Sequence, residues 1–443
     1  MKEKVLVKII TIAFIITIVL PILPVSSITS RFINKDRSQW EQLKEVPNLR
    51  FAVLSDTHVG PGRAAENGRL ENAFRTIYDL DPKIHAISIV GDITDNGDQS
   101  EYNIFKSIVQ KNKLKETNLI VSMGNHDGNT ALSFTEATGN SPRANRVING
   151  YHFITLSPRS STTVYGGDRY NLDEKWLNEQ LDSATSEDPT RPIFVFSHHG
   201  LKDTVYGTKD WYTPDLKDLL SNYPQVIHFS GHSHFPLNDP RSIYQKDFTA
   251  INTSSNTYIE LEPGMIYGTI PPKGENTSQM LILDVNGTKV KIRKLDLISG
   301  EYIGEDWVID TLLGKEDYKY TDNRVEASPK PLFKITSGIK VDSINNNSCS
   351  LTIDQAKVKN IKGDNQDEIV HSYKYEFYNK ATGNIYRSYK VWSGFYFLPM
   401  SKKLTQEFNG LESNTEYRVE VTAYNSYGKP SKNTISTTIK TSE

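Results

Sequence analysis

A single cysteine, Cys349, among 443 residues means that no disulfide can form within the chain. It also excludes zinc held by paired thiolates in a Cys-x-x-Cys arrangement. Net charge is nearly absent as well. With 51 basic against 53 acidic residues the balance is −2, so no overall field draws the chain to nucleic acid, and no basic run supplies a local one. Long apolar runs are missing with one exception, at the N-terminus. Hydrophobic residues make up 37% and charged residues 23%, the composition of a folded protein. Without disulfides such a chain must rely on its cores, and this length allows two or three of them.

The exception is residues 1–27. Lys2, Lys4 and Lys8 precede Ile9 to Val25, which is almost wholly apolar, and Val25-Ser26-Ser27 resembles a small-residue cleavage site. This pattern predicts an export signal. The run is short for a membrane span of about 20 residues and contains Pro21 and Pro24; an uncleaved membrane anchor is the alternative. Either way the body is expected outside the cytoplasm, secreted or at the cell surface. Losing residues 1–27 removes three lysines and one glutamate and leaves 48 basic against 52 acidic residues.

Residues 28–48 are polar and read as an arm leading into the fold. From residue 49 short apolar strands alternate with helical spacing. Strands are predicted at 49–55, 86–90, 118–122, 151–156, 192–196 and 226–229. Between them Leu70, Phe74, Ile77 and Leu80 recur at helical spacing, as do Tyr102, Phe105, Ile108 and Val109, with Ser100 as the start of that second helix. Leu172, Trp176, Leu177 and Leu181 form a third helical stripe, and Leu216, Leu219 and Leu220 a short fourth. Such alternation implies an α/β layered fold, in which ligands gather at the strand ends. Two β-rich stretches, 278–285 and 288–297, flank Asn286-Gly287, a strong hairpin signal. Residues 315–331 are polar, end in Ser-Pro-Lys-Pro and read as a linker.

Residues 332–443 show no helical pattern. Short strands at 349–353, 372–378, 385–392, 405–408, 416–424 and 434–440, separated by turn signals, suggest a β-sandwich. The stretch Leu411-Glu412-Ser413-Asn414-Thr415-Glu416-Tyr417, followed by Val419, Val421 and Ala423, resembles a fibronectin type III domain. Tyr417 sits where that family has its tyrosine corner, whose hydroxyl ties back to nearby backbone.

In the first region almost every strand ends in a side chain able to hold a metal. These are Asp56 and His58, then Asp92, then Asn125, then His198 or its neighbour His199, then His232 and His234. Imidazoles, carboxylates and one amide suit first-row divalent ions such as zinc, manganese, iron or nickel. Seven ligands are too many for one small ion. With Asp92 shared, they give two ions four protein ligands each and leave positions open for water and substrate. Gly91 lets the Asp92 carboxylate turn back across the strand end, and a buried carboxylate calls for a cation.

Asp-x-His, Gly-Asp, Gly-Asn-His-Asp, an isolated His and Gly-His-x-His, in that order over residues 50–236, resemble the calcineurin-like metallophosphoesterases. The resemblance implies a four-layer αββα sandwich over residues 49–314 and two divalent ions, Mn, Zn or Fe. Asp56, His58, Asp92 and His234 would hold the first ion; Asp92, Asn125, His198 and His232 the second. By the same resemblance His126 contacts the phosphate or protonates the leaving oxygen, and Asp127 orients it. Two ions about 3.5–4 Å apart can clamp the attacking and leaving oxygens of an in-line displacement, and a water between them becomes the nucleophile near neutral pH.

Gly91-Asp92-Ile93-Thr94-Asp95 lacks the tyrosine that purple acid phosphatases place after the bridging Asp. Asp95-Asn96-Gly97 and Asp127 depart from the protein Ser/Thr phosphatases. The core looks most like the cyclic-nucleotide-phosphodiesterase-like branch. The expectation is therefore a secreted or cell-surface phosphoesterase of broad specificity that hydrolyses diesters and, after them, monoesters, with the physiological substrate open. A phosphomonoesterase or nucleotidase, a metal-dependent nuclease, and a surface-binding protein on a degenerate scaffold are the alternatives. The substrate is a phosphoester, and a cell-surface structure or polymer is the expected partner of the sandwich. Asp95 either shapes its loop or backs a ligand. Arg143 and Arg146 either grip phosphate or serve the fold. Asp203, Tyr206 and Trp211 either shape the pocket or pack their loop, and Gly60-Pro61-Gly62 is a turn or a phosphate cradle. His85, His152, His228 and His371 are assigned no role.

Overall fold

The computed structural model describes residues 43–128, 131–158, 170–359 and 368–443. The expected export signal at 1–27, and all but the last residues of the 28–48 arm, lie outside them. Among the described residues no helix is long and apolar enough to cross a membrane.

The fold opens with β1 (Leu49–Leu54), α1 (Ala64–Leu80), β2 (Ala86–Val90), α2 (Gln99–Asn112) and β3 (Asn118–Ser122). The three strands are parallel neighbours, and they read as near-continuous apolar runs because both faces are covered. On one face Ala52, Leu54, Ile87 and Ile89 meet Leu70, Phe74 and Ile77 of α1 and Tyr102 and Phe105 of α2. The second helix starts from Asp98 rather than Ser100: the side chains of Asp98 and Glu101 satisfy each other's backbone N–H groups in a capping box.

Next come α3 (Ala131–Thr138), β4 (Ala144–Ile148), β5 (Tyr151–Leu156), α4 (Glu174–Glu187), β6 (Ile193–Ser197), α5 (Lys217–Leu220), β7 (Val226–Ser230), β8 (Ile243–Gln245) and β9 (Thr249–Asn252). They form a six-stranded sheet in the order β4-β5-β6-β7-β9-β8. The chain then returns to the first sheet. There β10 (Gln279–Asn286) pairs antiparallel with β1 and forms the Asn-Gly hairpin with β11 (Lys289–Asp296), to which β12 (Glu301–Tyr302) and β13 (Trp307–Asp310) add. The two sheets pack face to face. Phe51 of β1 lies 5.0 Å from Phe153 and 4.8 Å from Phe194, ring to ring, within a core that also holds Leu281, Leu283, Phe196 and Phe229. Leu177 and Leu181 of α4 cover the far face of the second sheet against Ile154 and Val195. The four layers expected from the sequence are all present. Strand β4 escaped the sequence reading because only Ile148 of its five residues is buried, which leaves an edge strand with no apolar period.

Residues 315–331 are mostly exposed and are anchored to the fold at a few buried residues. They contain α6 (Asn323–Ala327), a fully buried Tyr320, and Arg324, whose guanidinium donates to the carbonyls of Pro240 and Ile243 at 2.7 Å each. Beyond them β14 (Ile339–Ile344), β15 (Ser348–Asp354), β16 (Val370–Asn379), β17 (Ile385–Trp392), β18 (Lys403–Asn409), β19 (Glu416–Asn425) and β20 (Ile435–Lys440) form an all-β sandwich. Its two sheets are ordered β14-β15-β18 and β17-β16-β19-β20. The Tyr417 hydroxyl accepts from the Glu412 N–H at 3.0 Å.

Candidate metal centre

Parallel strands of both sheets deliver their C-terminal ends to one place. Ligand atoms of Asp56, His58 and His234 lie within 4.8 Å of one another, and so do those of Asp92, His198 and His232. Asp56 Oδ1 links the two groups, 3.0 Å from His234 Nε2 and 3.9 Å from His198 Nε2. Six of the seven residues singled out in the sequence therefore converge in two clusters. The seventh, Asn125, is half-buried, and its Oδ1 is buried without a hydrogen bond. The next residue ties the same loop to the site: the His126 N–H donates to Asp92 Oδ1 at 2.8 Å. Of the adjacent histidines, His198 places Nε2 3.0 Å from Asp92 Oδ2, whereas His199 turns its Nδ1 to the Tyr170 hydroxyl at 2.9 Å.

The backbone is bent to bring these groups together. Asp56, His58, Asp92, His232 and His234 all take positive φ, from 41° to 67°, a conformation that costs a non-glycine residue about 1–3 kcal/mol and persists only where the surroundings enforce it. Hydrogen bonds supply the enforcement. The N–H groups of Asp56 and His58 donate to the carbonyls of Gly91 and Asp92 at 3.1 and 3.0 Å, which zips the loop after β1 to the loop after β2. Behind both runs a fully buried segment, Thr253 to Thr257. Thr257 Oγ1 donates to the Asp56 carbonyl at 3.0 Å, and Thr253 Oγ1 to that of Ser230 at 2.9 Å. Two glycines make the close approach possible. A Cβ on Gly124 would stand 2.0 Å from Asp92 Oδ1, and one on Gly231 would stand 1.8 Å from Ser55 Oγ.

The proton positions of the imidazoles carry the chemical argument. His198 Nδ1 lies 2.8 Å from the Val90 carbonyl oxygen and His234 Nδ1 lies 3.1 Å from that of Tyr258. A carbonyl oxygen only accepts, so each ring keeps a proton on Nδ1 and turns Nε2 toward a carboxylate oxygen 3.0 Å away. In the neutral ring these are two acceptors face to face, an arrangement that calls for positive charge between them, either a second proton on the ring or a metal cation. His58 Nε2 and His234 Nε2, 3.4 Å apart, stand in the same relation. Asp56 Oδ1, Asn125 Oδ1 and His198 Nε2 are buried without a hydrogen bond, at about 1–3 kcal/mol each if nothing meets them.

The local field points the same way. Burial pushes the His198 imidazole down, but the charges of Asp92 and Asp56 outweigh it and raise the ring to about 9. Burial pushes the Asp92 carboxyl up, yet His198, His58 and His126 hold it well below the ordinary range. A site that so favours positive charge, built from nitrogen and oxygen donors, fits first-row divalent ions.

His126 is exposed, with its ring 4.9 Å from that of His58. Its Nδ1 lies 2.7 Å from the Asp95 carbonyl oxygen, which leaves Nε2 as the nitrogen able to give or take a proton. Asp127 does not hold this ring, and the orienting role expected for it is corrected. Its buried carboxylate accepts from the N–H groups of Gly124, Ile93 and Thr94 at 2.7, 3.2 and 2.9 Å and from Thr94 Oγ1 at 2.8 Å, so it clamps the loop after β2 to the loop after β3. The orienting contact comes instead from the backbone of Asp95. The Asp95 carboxylate also lies 3.5 Å from His58 Nδ1 and 2.8 Å from an Arg63 nitrogen, in the place of a group that orients a metal-holding imidazole.

Arg143 pairs with Asp173 at 2.7 Å and Arg146 donates to the carbonyls of Leu119 and Gly139 at 3.2 Å, so both serve the fold. Gly60 is bound on both sides by the Asn67 amide, at 3.0 Å, as the start of an ordinary turn. Sequence reasoning passed over Tyr258, whose ring centre is 4.2 Å from that of His234, and the 253–257 segment. The run Thr-Ser-Ser-Asn-Thr straight after an apolar stretch was the available signal; alone it reads as a surface loop.

Residues 49–236 match the sequence profile described as calcineurin-like phosphoesterase. A relative described as probable glycerophosphodiester phosphodiesterase GpdQ, from Arcobacter nitrofigilis, is 31% identical over 202 residues, which is 41% of this chain and 70% of the relative. Among solved structures, purple acid phosphatase PPD1 from yellow lupin is 12% identical over 61% of this chain and 57% of its own, with a TM-score of 0.40. GAP50, the anchor in the inner membrane complex of Plasmodium, is 15% identical over 61% of this chain and 92% of its own, with a TM-score of 0.38.

Proposed function

We infer the function from one premise: this chain belongs to the calcineurin-like phosphoesterase family. It is an exported phosphodiesterase that hydrolyses small phosphodiesters at a dinuclear metal centre. The observation that carries this reading is the convergence of Asp56, His58 and His234, and of Asp92, His198 and His232, each set with its ligand atoms within 4.8 Å of one another, and with Nε2 of His198 and His234 turned to carboxylate oxygens 3.0 Å away. Asp56, His58 and His234 would hold one ion and Asn125, His198 and His232 the other, with Asp92 available to both; Mn, Zn or Fe would suit these donors. Two such ions would supply charge to offset that building on the phosphoryl oxygens and would lower the pKa of a water toward 7. His126, steadied through Nδ1 by the Asp95 carbonyl, gives its Nε2 proton to the leaving alkoxide.

Diesters are favoured over monoesters on two grounds. Arg143 and Arg146, which could have gripped a second phosphate charge, are committed elsewhere, and the 31% identical relative is described as a glycerophosphodiester phosphodiesterase. The sandwich is read as fibronectin type III-like from its three-plus-four strands and the Tyr417 hydroxyl contact, with a surface structure or polymer as its partner. Export rests on the pattern of residues 1–27 and is tested by the N-terminus of the protein recovered outside the cell, expected near residue 28.

The activity test is a substrate panel assayed with Mn, Zn and Fe: glycerophosphodiesters, an aryl diester, the matching monoesters, cyclic nucleotides and DNA. The small diesters are expected to show the highest kcat/KM, with all turnover lost to a chelator. A clear monoester preference overturns the diester assignment.

A further inference from the structure

The joint between the two halves of the molecule lies directly behind the metal loops. Its apolar cluster takes Tyr206, Phe235, Ile259 and Leu261 from the phosphoesterase half and Trp392, Phe395 and Tyr396 from the sandwich, with Trp211 packed against it. Three of these are bound to the site by the chain or by contact. Phe235 follows His234. Ile259 follows Tyr258, whose ring lies on that of His234. The Trp211 ring meets the His232 ring edge-on at 5.7 Å.

A polar knot fastens the same joint. The Tyr206 hydroxyl donates to Glu262 and lies 2.9 Å from Nε2 of His371, a residue of β16 in the sandwich. His371 in turn is 3.3 Å from Glu262 Oε1. On the other side of the tyrosine, the Arg241 guanidinium stacks 3.8 Å over its ring and is held by the Asp239 carboxylate through two bonds of 2.8 Å. The Tyr206 N–H donates to the Arg241 carbonyl at 2.9 Å. Tyr206 is thus gripped at both ends, and only the sandwich supplies His371.

We propose that the C-terminal sandwich is part of the metal centre's support. His371 and Tyr206 are positioning residues that fix the 201–212 segment, and Trp211 carries that order to His232. This rests on the dinuclear reading above. His232 is held locally by the Asp56 carboxylate, which accepts its N–H at 3.2 Å, and by the His199 ring at 4.4 Å; Trp211 adds a contact on a further side. His232 is half-buried and sits at φ 67°, so its strained backbone must be held by what surrounds it. Partners behind a metal-holding imidazole typically change metal affinity by 10–100-fold when removed, and residues acting through Trp211 from further away are expected near the lower figure. An interface that merely glued two modules together would change stability and leave metal binding alone.

The test is calorimetric titration of the metal-free, full-length protein with Mn(II). Tyr206→Phe keeps the ring against Phe235 and Arg241 and removes both hydroxyl contacts; His371→Gln removes the imidazole from the sandwich side. Each is expected to weaken one of two Mn(II) sites roughly tenfold and to leave the other unchanged, whatever happens to Tm. Trp211→Ala is expected to reproduce the loss and Trp211→Phe to recover most of it. If Tyr206→Phe does not fold, His371→Gln decides. Two sites of wild-type affinity in the folded variants overturn the proposal. A wild-type protein that binds no Mn(II) overturns the dinuclear reading and this one with it.

Discussion

The two halves spend backbone strain differently. Of the eleven non-glycine residues with positive φ among those described, five are proposed metal ligands at strand ends of the phosphoesterase half, whereas the sandwich contributes one, Asn414. Elsewhere the sandwich leaves its left-handed turn positions to glycine, as at Gly383, Gly394, Gly410 and Gly428. Both halves are built from short strands and tight turns. A turn that only reverses the chain can use glycine without penalty. A turn that must aim an imidazole or a carboxylate cannot, because glycine has no side chain to aim. Strain at the candidate metal centre is the consequence of putting imidazoles and carboxylates where a purely structural fold would put glycine.

That contrast can be broken or sharpened by experiment. Asp92→Ala should have the largest effect. Metal content is expected to fall from near two ions per chain to one or none by elemental analysis, and turnover by roughly a thousandfold or more. His126→Ala should lower kcat by about 10²–10⁴ while metal content stays at the wild-type value, which separates the proton donor from the ligands. Next in size is a paired glycine test. Gly124→Ala puts a methyl on Asp92 and is expected to weaken metal binding at least tenfold, whereas Gly383→Ala, with nothing within 4 Å of its new methyl, should cost only about 1–2 kcal/mol of stability by denaturant titration and no activity. Equal metal affinity in the two variants would remove the distinction drawn here.

A pH prediction concerns a histidine away from the ligands. Burial pushes the imidazole of His228, in β7, down to about 3. The folded state therefore stays neutral while the unfolded chain takes up a proton below about 6.5, so stability is whole above that pH and falls toward pH 3, by about 1.4 kcal/mol per pH unit. Thermal melts of the metal-free protein between pH 4 and 7 should show this slope, reduced in His228→Asn. The smallest effect is expected from Tyr417→Phe in the sandwich. Losing the contact to the Glu412 N–H should cost about 1 kcal/mol and leave kcat/KM unchanged.

Much of the fold was legible because its strands carry their own signal. Strands β1, β2, β3, β6 and β7 are short apolar runs that end in a polar ligand, and the Asn286-Gly287 hairpin announces its own turn. Strand β4, half exposed at a sheet edge, has no period to read, and β14 offers only the brief alternation Ile339-Lys340-Val341-Asp342. The site was legible in its ligands and not in its supports. The family resemblance implied that Asp127 orients His126; the fold instead gives its carboxylate to three backbone N–H groups. His371 lies 137 residues beyond His234, too far for any local pattern to relate them.

By itself, the sequence determined which chemistry is available, because ligand identity and the alternation of apolar runs are properties of single residues and of near neighbours. The tertiary structure decided which contacts form around the site: that His198 and not His199 enters the cluster, that the Asp95 carbonyl rather than Asp127 meets His126, and that the sandwich meets Tyr206 through His371. Those choices depend on distances across sheets and between domains, which packing sets and a one-dimensional pattern does not contain.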